Sequence, residues 1–171
     1  MLTPLPESID EYPDDFAKFL NQGDLHGDYN DLVFYLEDNG VHDTVPTWQL
    51  LLQGTDWKSH KLPKYAIPPR ENWRDMINTL AFLKYDLLPY TGPVKVLSGF
   101  RTPGYNLAAG GADKSRHLSF SALDLKPVND IDRAALHSIL KDRWNTLGEQ
   151  YKLGLGLYRG CLLYTSPSPR D

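Results

Sequence analysis

The chain has 171 residues, 41% hydrophobic and 12% aromatic, which is enough apolar material for one sizeable core and is not typical of a disordered or coiled-coil chain. Residues 1–43 hold eleven acidic residues and a single lysine, so this part carries −10 and the remainder +6 of the overall charge of −4. This asymmetry fits a solvated acidic helical face beside a near-neutral domain, or a mildly basic domain that acts on an anionic polymer. No arginine-rich run or interleaving of basic and aromatic residues indicates a nucleic-acid partner.

The sequence shows no export or membrane signal. No stretch reaches the roughly 18 apolar residues that a membrane helix needs. The start, "MLTPLPESIDEYPDDF", has neither a basic first segment nor an apolar core, so no signal peptide is visible, and we expect either a cytoplasmic protein or a start that lies upstream. Cys161 is the only cysteine, which excludes a disulfide within the chain.

The first part of the chain predicts short helices followed by an extended connection. The apolar spacing favours amphipathic helices over 14–21 and 29–38, and Pro46 is expected to open a third helix. The stretch "KLPKYAIPPRE" (61–71) contains three prolines, which excludes a helix there. We therefore expect residues 1–69 to form a helical N-terminal extension with a proline-rich connection.

The second part alternates predicted helices and strands. Apolar residues at three- and four-residue steps predict a core helix over 71–88. The elements expected after it are a strand at 94–97, a short helix after Pro103, a strand at 121–125, a helix at 130–147 and a strand at 152–160. This order predicts an α+β fold in which helices flank a small antiparallel sheet, with residues 70–160 as one domain behind the helical extension.

The last eleven residues, "CLLYTSPSPRD" (161–171), break the pattern and lack a closing element. They can be read codon by codon from the end sequence of a transposase-based DNA library adapter. We therefore interpret them as the translation of a sequencing adapter and Gly160 as the last native residue, the alternative being a natural polar tail. On this interpretation the 70–160 domain is incomplete at its C-terminal end.

A histidine and an aspartate seven positions apart, His117 and Asp124 in "SRHLSFSALDL", are the candidate metal ligands. Both residue types suit zinc, and a catalytic zinc site combines three protein ligands with a water. The pair alone is a weak signal, and a strand with one stray histidine is the alternative. The context strengthens it, because "SGFRTPGYN" (98–106) presents Arg101 at a strand end and a glycine turn then leads to Ser115.

The string "SGFRTPGYN…GGADKSRHLSFSALDL" resembles the core of the zinc D-Ala-D-Ala carboxypeptidases, the LAS-type metallopeptidases of the M15 family that cut peptidoglycan stem peptides. The resemblance covers roughly residues 70–160 and implies the hedgehog/D-Ala-D-Ala-peptidase type of fold. It implies that His117 and Asp124 bind Zn²⁺, that Arg101 holds a substrate carbonyl or carboxylate, and that Ser115 supports the site by a hydrogen bond. A surface ion pair for Arg101 and a turn cap for Ser115 are the structural alternatives.

The sequence departs from the family pattern in two places. Many relatives have glycine where this chain has Phe120, which we expect to make the pocket wall more apolar. The resemblance also places a third zinc ligand, a histidine near a general base, on the strand after "GLGLYRG", where this chain has the adapter-like tail. The other histidines are weak substitutes: His26, His42, His60 and His137.

The resemblance implies a zinc-dependent peptidase of peptidoglycan peptides, either a D,D-carboxypeptidase or an endopeptidase. We expect it to act as a monomer in the periplasm or cell envelope, although no signal peptide is visible. Two alternatives remain open: a non-catalytic cell-wall-binding module of the same fold, and a phage-type endolysin.

Overall fold

The computed structural model describes residues 11–157 and, as backbone alone, residues 161–165. Within them the helices are α1 (Asp14–Gln22), α2 (His26–Asp38), α3 (Trp57–His60), α4 (Trp73–Phe82), α5 (Leu88–Thr91), α6 (Pro103–Ala108) and α7 (Arg133–Tyr151). The strands are β1 (Val94–Ser98), β2 (Ala122–Pro127), β3 (Leu153–Leu157) and β4 (Cys161–Thr165). The expected α+β fold, with a small antiparallel sheet and flanking helices behind a helical N-terminal part, is confirmed.

The N-terminal helices pack through a cluster of aromatic rings. Phe16 of α1 lies fully buried, with ring centroids 5.0 Å from Tyr29 of α2 and 4.9 Å from Tyr65 of the proline-rich connection. Edge-to-face contacts of this kind add to the free energy gained by apolar burial. The connection is thereby held against α1, and it forms an isolated antiparallel bridge between Leu52 and Tyr65.

A nearly continuous helical run from Arg70 to Thr91 forms the central helix, as the apolar spacing predicted. A π-helical segment, Leu83–Leu87, separates α4 from α5. Pro89 lies two residues after the end of this segment and lacks the N–H that would continue the α-helical ladder, which accounts for the local widening. Met76, Leu80 and Leu83 of this run are at most 1% exposed, so the run forms one wall of the core.

The sheet has the order β1-β2-β4-β3, and every neighbouring pair is antiparallel. The pairing of β1 with β2 is irregular between Val96 and Ser98, and this irregularity sets Ser98 opposite Asp124. β4 lies between β2 and β3, and its residue Leu162 is opposite Asp124 in the register. Two neighbouring strands therefore flank the position of Asp124.

The long helix α7 covers the sheet and begins three residues later than expected. Asp132 is its N-cap, and the Asp132 side chain accepts a hydrogen bond from the backbone N–H of Ala135. The strand expected at 152–160 is present as β3, and positions 158–160 lie outside the described residues. No helix in the described ranges is long and apolar enough to cross a membrane.

Candidate metal centre

The end of β1 is fixed by close contact with the N-terminal part of the chain. The backbone N–H groups of Gly99 and Phe100 donate to the carbonyl oxygens of Leu52 and Leu50, at 2.8 and 2.9 Å. A Cβ atom at position 99 would lie 2.1 Å from the Leu50 carbonyl oxygen, so only glycine permits this approach. The chain then turns and presents Arg101 beside β2.

Arg101 is held through its guanidinium, which contacts three polar groups, and through its backbone N–H. Its Nε donates to the Gln53 carbonyl oxygen at 2.9 Å and to Ser98 Oγ at 3.0 Å. Its Nη2 lies 3.2 Å from Asp124 Oδ2, and the Arg101 backbone N–H donates to the His117 carbonyl oxygen at 3.1 Å. The Arg101 side chain is 17% exposed, so this is a partly buried ion pair rather than the surface pair considered from the sequence.

The His117 ring is oriented as a metal-binding imidazole requires. Its Nδ1 lies 2.7 Å from the Gly99 carbonyl oxygen, and since a carbonyl only accepts, Nδ1 carries the proton. In the neutral ring the lone pair is then on Nε2, which lies 3.5 Å from Asp124 Oδ1. A backbone acceptor that fixes the tautomer is the usual outer partner of a ligating histidine.

The separation of the two candidate ligands fits a single zinc ion. With metal–ligand distances near 2.1 Å and a tetrahedral angle, two ligand atoms are about 3.4 Å apart, close to the observed 3.5 Å. Asp124 also places its second oxygen against Arg101, so one carboxylate joins both groups. The structure therefore brings together three of the four residues singled out in the sequence.

Ser115 acts on the backbone that carries His117. Its Oγ accepts a hydrogen bond from the His117 backbone N–H at 3.4 Å, and its carbonyl oxygen accepts from the Leu118 N–H at 3.1 Å. These are the contacts of a turn cap, and among the described residues its hydroxyl does not reach the His117 ring. Ser115 thus stabilises the turn before the candidate ligand.

The expectation that Phe120 lines the pocket is wrong. The side chain is 0% exposed and packs edge-to-face on Phe100, with ring centroids 6.3 Å apart. Its φ of +57° lies in the left-handed region that glycine adopts without penalty. The glycine expected here from the family resemblance would suit this backbone conformation, and the phenylalanine adds core packing instead of a pocket wall.

The described residues contain no group of three side chains able to hold a metal ion. Three of the other histidines have acidic or amide partners elsewhere: His26 lies 2.7 Å from Asn21, His60 2.9 Å from Asp56, and His42 3.9 Å from Glu37. His137 lies on α7, and its Nε2 is buried without a hydrogen-bond partner in the described chain. Within that part of the chain, a zinc ion would find His117 and Asp124 as its protein ligands.

Sequence reasoning missed Gln53, which is 1% exposed and contacts both flanks of Arg101. The signal available was a single glutamine at the end of an apolar run, "LLQG", because a polar residue buried there must be hydrogen-bonded. A cleft of about 360 Å³ lies beside it, lined among others by Gln53, Thr102 and Tyr105. None of the four residues predicted as the site lines this cleft.

A second polar cluster supports the turn after Arg101. The Tyr105 hydroxyl donates to Asp56 Oδ1, and His60 Nε2 lies 2.9 Å from Asp56 Oδ2. Burial raises the pKa of the Tyr105 phenol, and the hydrogen bond to Asp56 raises it further. The same hydrogen bond holds the pKa of Asp56 below its usual value, with a smaller contribution from His60 against the opposing effect of burial. The cluster therefore joins the 54–60 segment to α6.

Comparison with known protein families gives a match that spans the candidate site. The family model of peptidase M15 matches residues 52–157, which is more than half of the chain and includes Gln53 as well as Arg101, His117 and Asp124. No curated protein and no solved structure gives a significant match. The peptidases of this family are metallopeptidases and are generally zinc-dependent. The chain belongs to the peptidase M15 family.

Proposed function

We propose that the chain is the zinc-dependent peptidase domain of an enzyme that cuts peptidoglycan stem peptides, as a D,D-carboxypeptidase or an endopeptidase in the cell envelope. One observation carries the proposal: His117 Nε2 and Asp124 Oδ1 lie 3.5 Å apart with the histidine tautomer fixed and an arginine beside the carboxylate. The family match supports a metallopeptidase, and the sequence resemblance supplies the substrate.

His117 and Asp124 are the residues that would hold the zinc ion. A bound zinc polarises a peptide carbonyl and lowers the pKa of a bound water to about 7, which supplies hydroxide at neutral pH. The Gly99 carbonyl accepts from Nδ1 of His117, which leaves Nε2 directed at Asp124, and the Arg101 guanidinium contacts the second carboxylate oxygen of Asp124. The chain's own contribution is thus to orient both ligands toward one point.

Arg101 is the residue proposed to hold the substrate. Its Nε is occupied by Gln53 and Ser98, and its Nη2 contacts Asp124, while the described residues supply no hydrogen-bond partner for Nη1. Because one edge of the guanidinium is fixed, its Nη1 can donate to a substrate carbonyl or carboxylate beside the metal ligands. Positive charge at this point also stabilises an oxyanion as it forms.

A non-catalytic wall-binding module is the second candidate function. It is favoured by one observation, that the described residues provide two metal ligands and no third. A module of this kind would retain the fold and bind sacculi without releasing products. Its binding would not depend on His117.

The test is an activity assay on the protein encoded by the source gene. The gene is first re-sequenced past codon 160 from a library made without the transposase, and the protein is then loaded with zinc and incubated with purified sacculi and stem peptides. We expect products detectable by mass spectrometry, and no products from the His117→Ala variant. Sacculus binding without product release, unchanged by His117→Ala, would replace the peptidase proposal with the binding module.

A further inference from the structure

Gln53 contacts the residues on both sides of Arg101, and it does so with its main chain and its side chain. The residue is 1% exposed and lies in the segment that links the N-terminal helices to the core, outside the motifs that identify the site. We propose that Gln53 is a positioning residue that fixes the Arg101 guanidinium against Asp124.

The main chain of Gln53 holds the side chain of Arg101 directly. The Gln53 carbonyl oxygen accepts from Arg101 Nε at 2.9 Å and from Ser98 Oγ at 2.6 Å. Ser98 Oγ in turn accepts from the same Arg101 Nε at 3.0 Å. These three groups form a closed triangle, so a shift of the Gln53 backbone would move the arginine.

The side chain of Gln53 fixes the position of that carbonyl. Its Oε1 accepts from both the backbone N–H and the hydroxyl of Thr102, each at 2.9 Å, and its Nε2 donates to the Pro63 carbonyl oxygen at 2.9 Å. The Gln53 backbone N–H donates to the Lys64 carbonyl oxygen at 3.0 Å. A buried carboxamide with these partners is costly to displace, because each group would lose its hydrogen bond without gaining water.

Thr102 extends the effect to the helix that follows. It is the N-cap of α6, and its hydroxyl accepts from the Tyr105 N–H at 3.3 Å while donating to Gln53. Arg101 therefore lies between two residues, Ser98 and Thr102, that are both hydrogen-bonded to Gln53. The arginine is preorganised before any substrate arrives, which spares the entropy of ordering a long side chain.

The consequence for catalysis rests on the proposed function. In the zinc-loaded peptidase, we expect loss of Gln53 to lower kcat/KM, as we expect of a substitution of Arg101 itself. The positioning role can be measured without any activity, so its failure and that of the proposed function are distinguishable. The matched control is Gln49. Its carboxamide oxygen accepts from the N–H of Val96 at 3.0 Å, on the strand β1 that also carries Ser98. No hydrogen bond joins Gln49 to Arg101 in the described part of the chain.

The experiment is hydrogen exchange of arginine Nε–H groups followed by NMR, with the Arg101 signal assigned by its loss in Arg101→Lys. In the unsubstituted chain we expect a protected Arg101 Nε–H, and in Gln53→Leu an exchange at least roughly tenfold faster, with Gln49→Leu unchanged. Equal exchange in Gln53→Leu and the unsubstituted chain would overturn the proposal. If Gln53→Leu does not fold, Thr102→Val removes the hydroxyl half of the contact with Gln53 Oε1, and there faster exchange supports the positioning role and unchanged exchange refutes it.

Discussion

Two segments build the candidate site, and they differ in how they contribute. The segment 115–124 supplies the candidate metal ligands, His117 and Asp124, which a sequence motif indicates. The segment 50–56 supplies backbone carbonyls from Leu50 and Gln53 and a buried carboxamide, and no motif marks it. Both are needed because the first contains the ligands and the second fixes the arginine and the strand end between them.

The comparison shows that the helical N-terminal part and the motif-bearing part share one core. Buried residues from both, such as Phe16, Leu50, Leu80 and Val96, belong to the same hydrophobic cluster. The domain boundary at residue 69 stays a prediction, and the family match begins before it, at residue 52. Substitutions in the helical N-terminal part are therefore expected to affect the stability of the motif-bearing part.

The largest effect on stability is expected where the end of β1 touches the segment 50–56. Gly99→Ala would place a Cβ 2.1 Å from the Leu50 carbonyl oxygen, and since backbone cannot yield easily, we expect the free energy of unfolding to fall by about 3 kcal/mol. Gly104→Ala is the control, because no atom lies within 4 Å of the added methyl group. Urea denaturation of both variants measures the difference, and equal stability would show that the approach of residue 50 is not tight.

A smaller effect distinguishes backbone strain from packing at Phe120. Phe120→Ala and Phe120→Gly both remove the ring that packs on Phe100, but only glycine relieves the φ of +57°. We expect Phe120→Gly to be more stable than Phe120→Ala by about 1 kcal/mol, the reverse of their usual order in regular structure. A more stable alanine variant in thermal or urea unfolding would contradict the left-handed conformation.

The smallest effect is a pH dependence in the 50–56 segment. The hydrogen bond from Tyr105 lowers the pKa of Asp56 in the folded state, so its stabilisation is present above the unfolded-state pKa of about 3.9 and is lost as the pH falls through the lower folded value. The stability difference between the unsubstituted chain and Tyr105→Phe should shrink below about pH 4. Since the Asp56 side chain is 43% exposed, we expect a modest change.

The Asp56→Asn background provides the control for that titration. Tyr105→Phe should there change stability by an amount that does not vary between pH 7 and pH 3. Urea unfolding at several pH values measures all four proteins. If the stability difference between the unsubstituted chain and Tyr105→Phe did not vary with pH, the pKa of Asp56 would not depend on Tyr105.

Much of the fold could be predicted because its signals are local. The apolar spacing of α4, the acidic residues at the start of α7, the prolines of the 61–71 connection and the alternation in β2 each depend on a few adjacent residues. The turn at Phe120 could not be predicted, because a phenylalanine gives no sign of a left-handed conformation, and its burial against Phe100 depends on distant contacts. The role of Gln53 depends on contacts about 45 to 49 positions away, which no local pattern encodes.

The third ligand marks the limit of the site prediction. The resemblance places it on the strand after β3, and in the described chain that strand is β4, which lies next to β2. The interpretation of residues 161–171 as adapter translation stays a prediction. In the backbone register of β4, the position paired with Asp124 is Leu162.

The central claim is that His117 and Asp124 are two ligands of one zinc site. The most direct test of it is to introduce a third ligand. The register pairs position 162 with Asp124 and position 163 with Leu123, and successive positions of a strand alternate between the two faces of a sheet. We therefore expect Leu162→His, and not Leu163→His, to supply the additional ligand. Because an outer-shell partner alone changes metal affinity by roughly 10- to 100-fold, we expect Leu162→His to bind zinc at least roughly 100-fold more tightly than Leu163→His in calorimetry. This gain should disappear with His117→Ala. Equal zinc affinity in the two variants, or a gain that survives His117→Ala, would contradict the account.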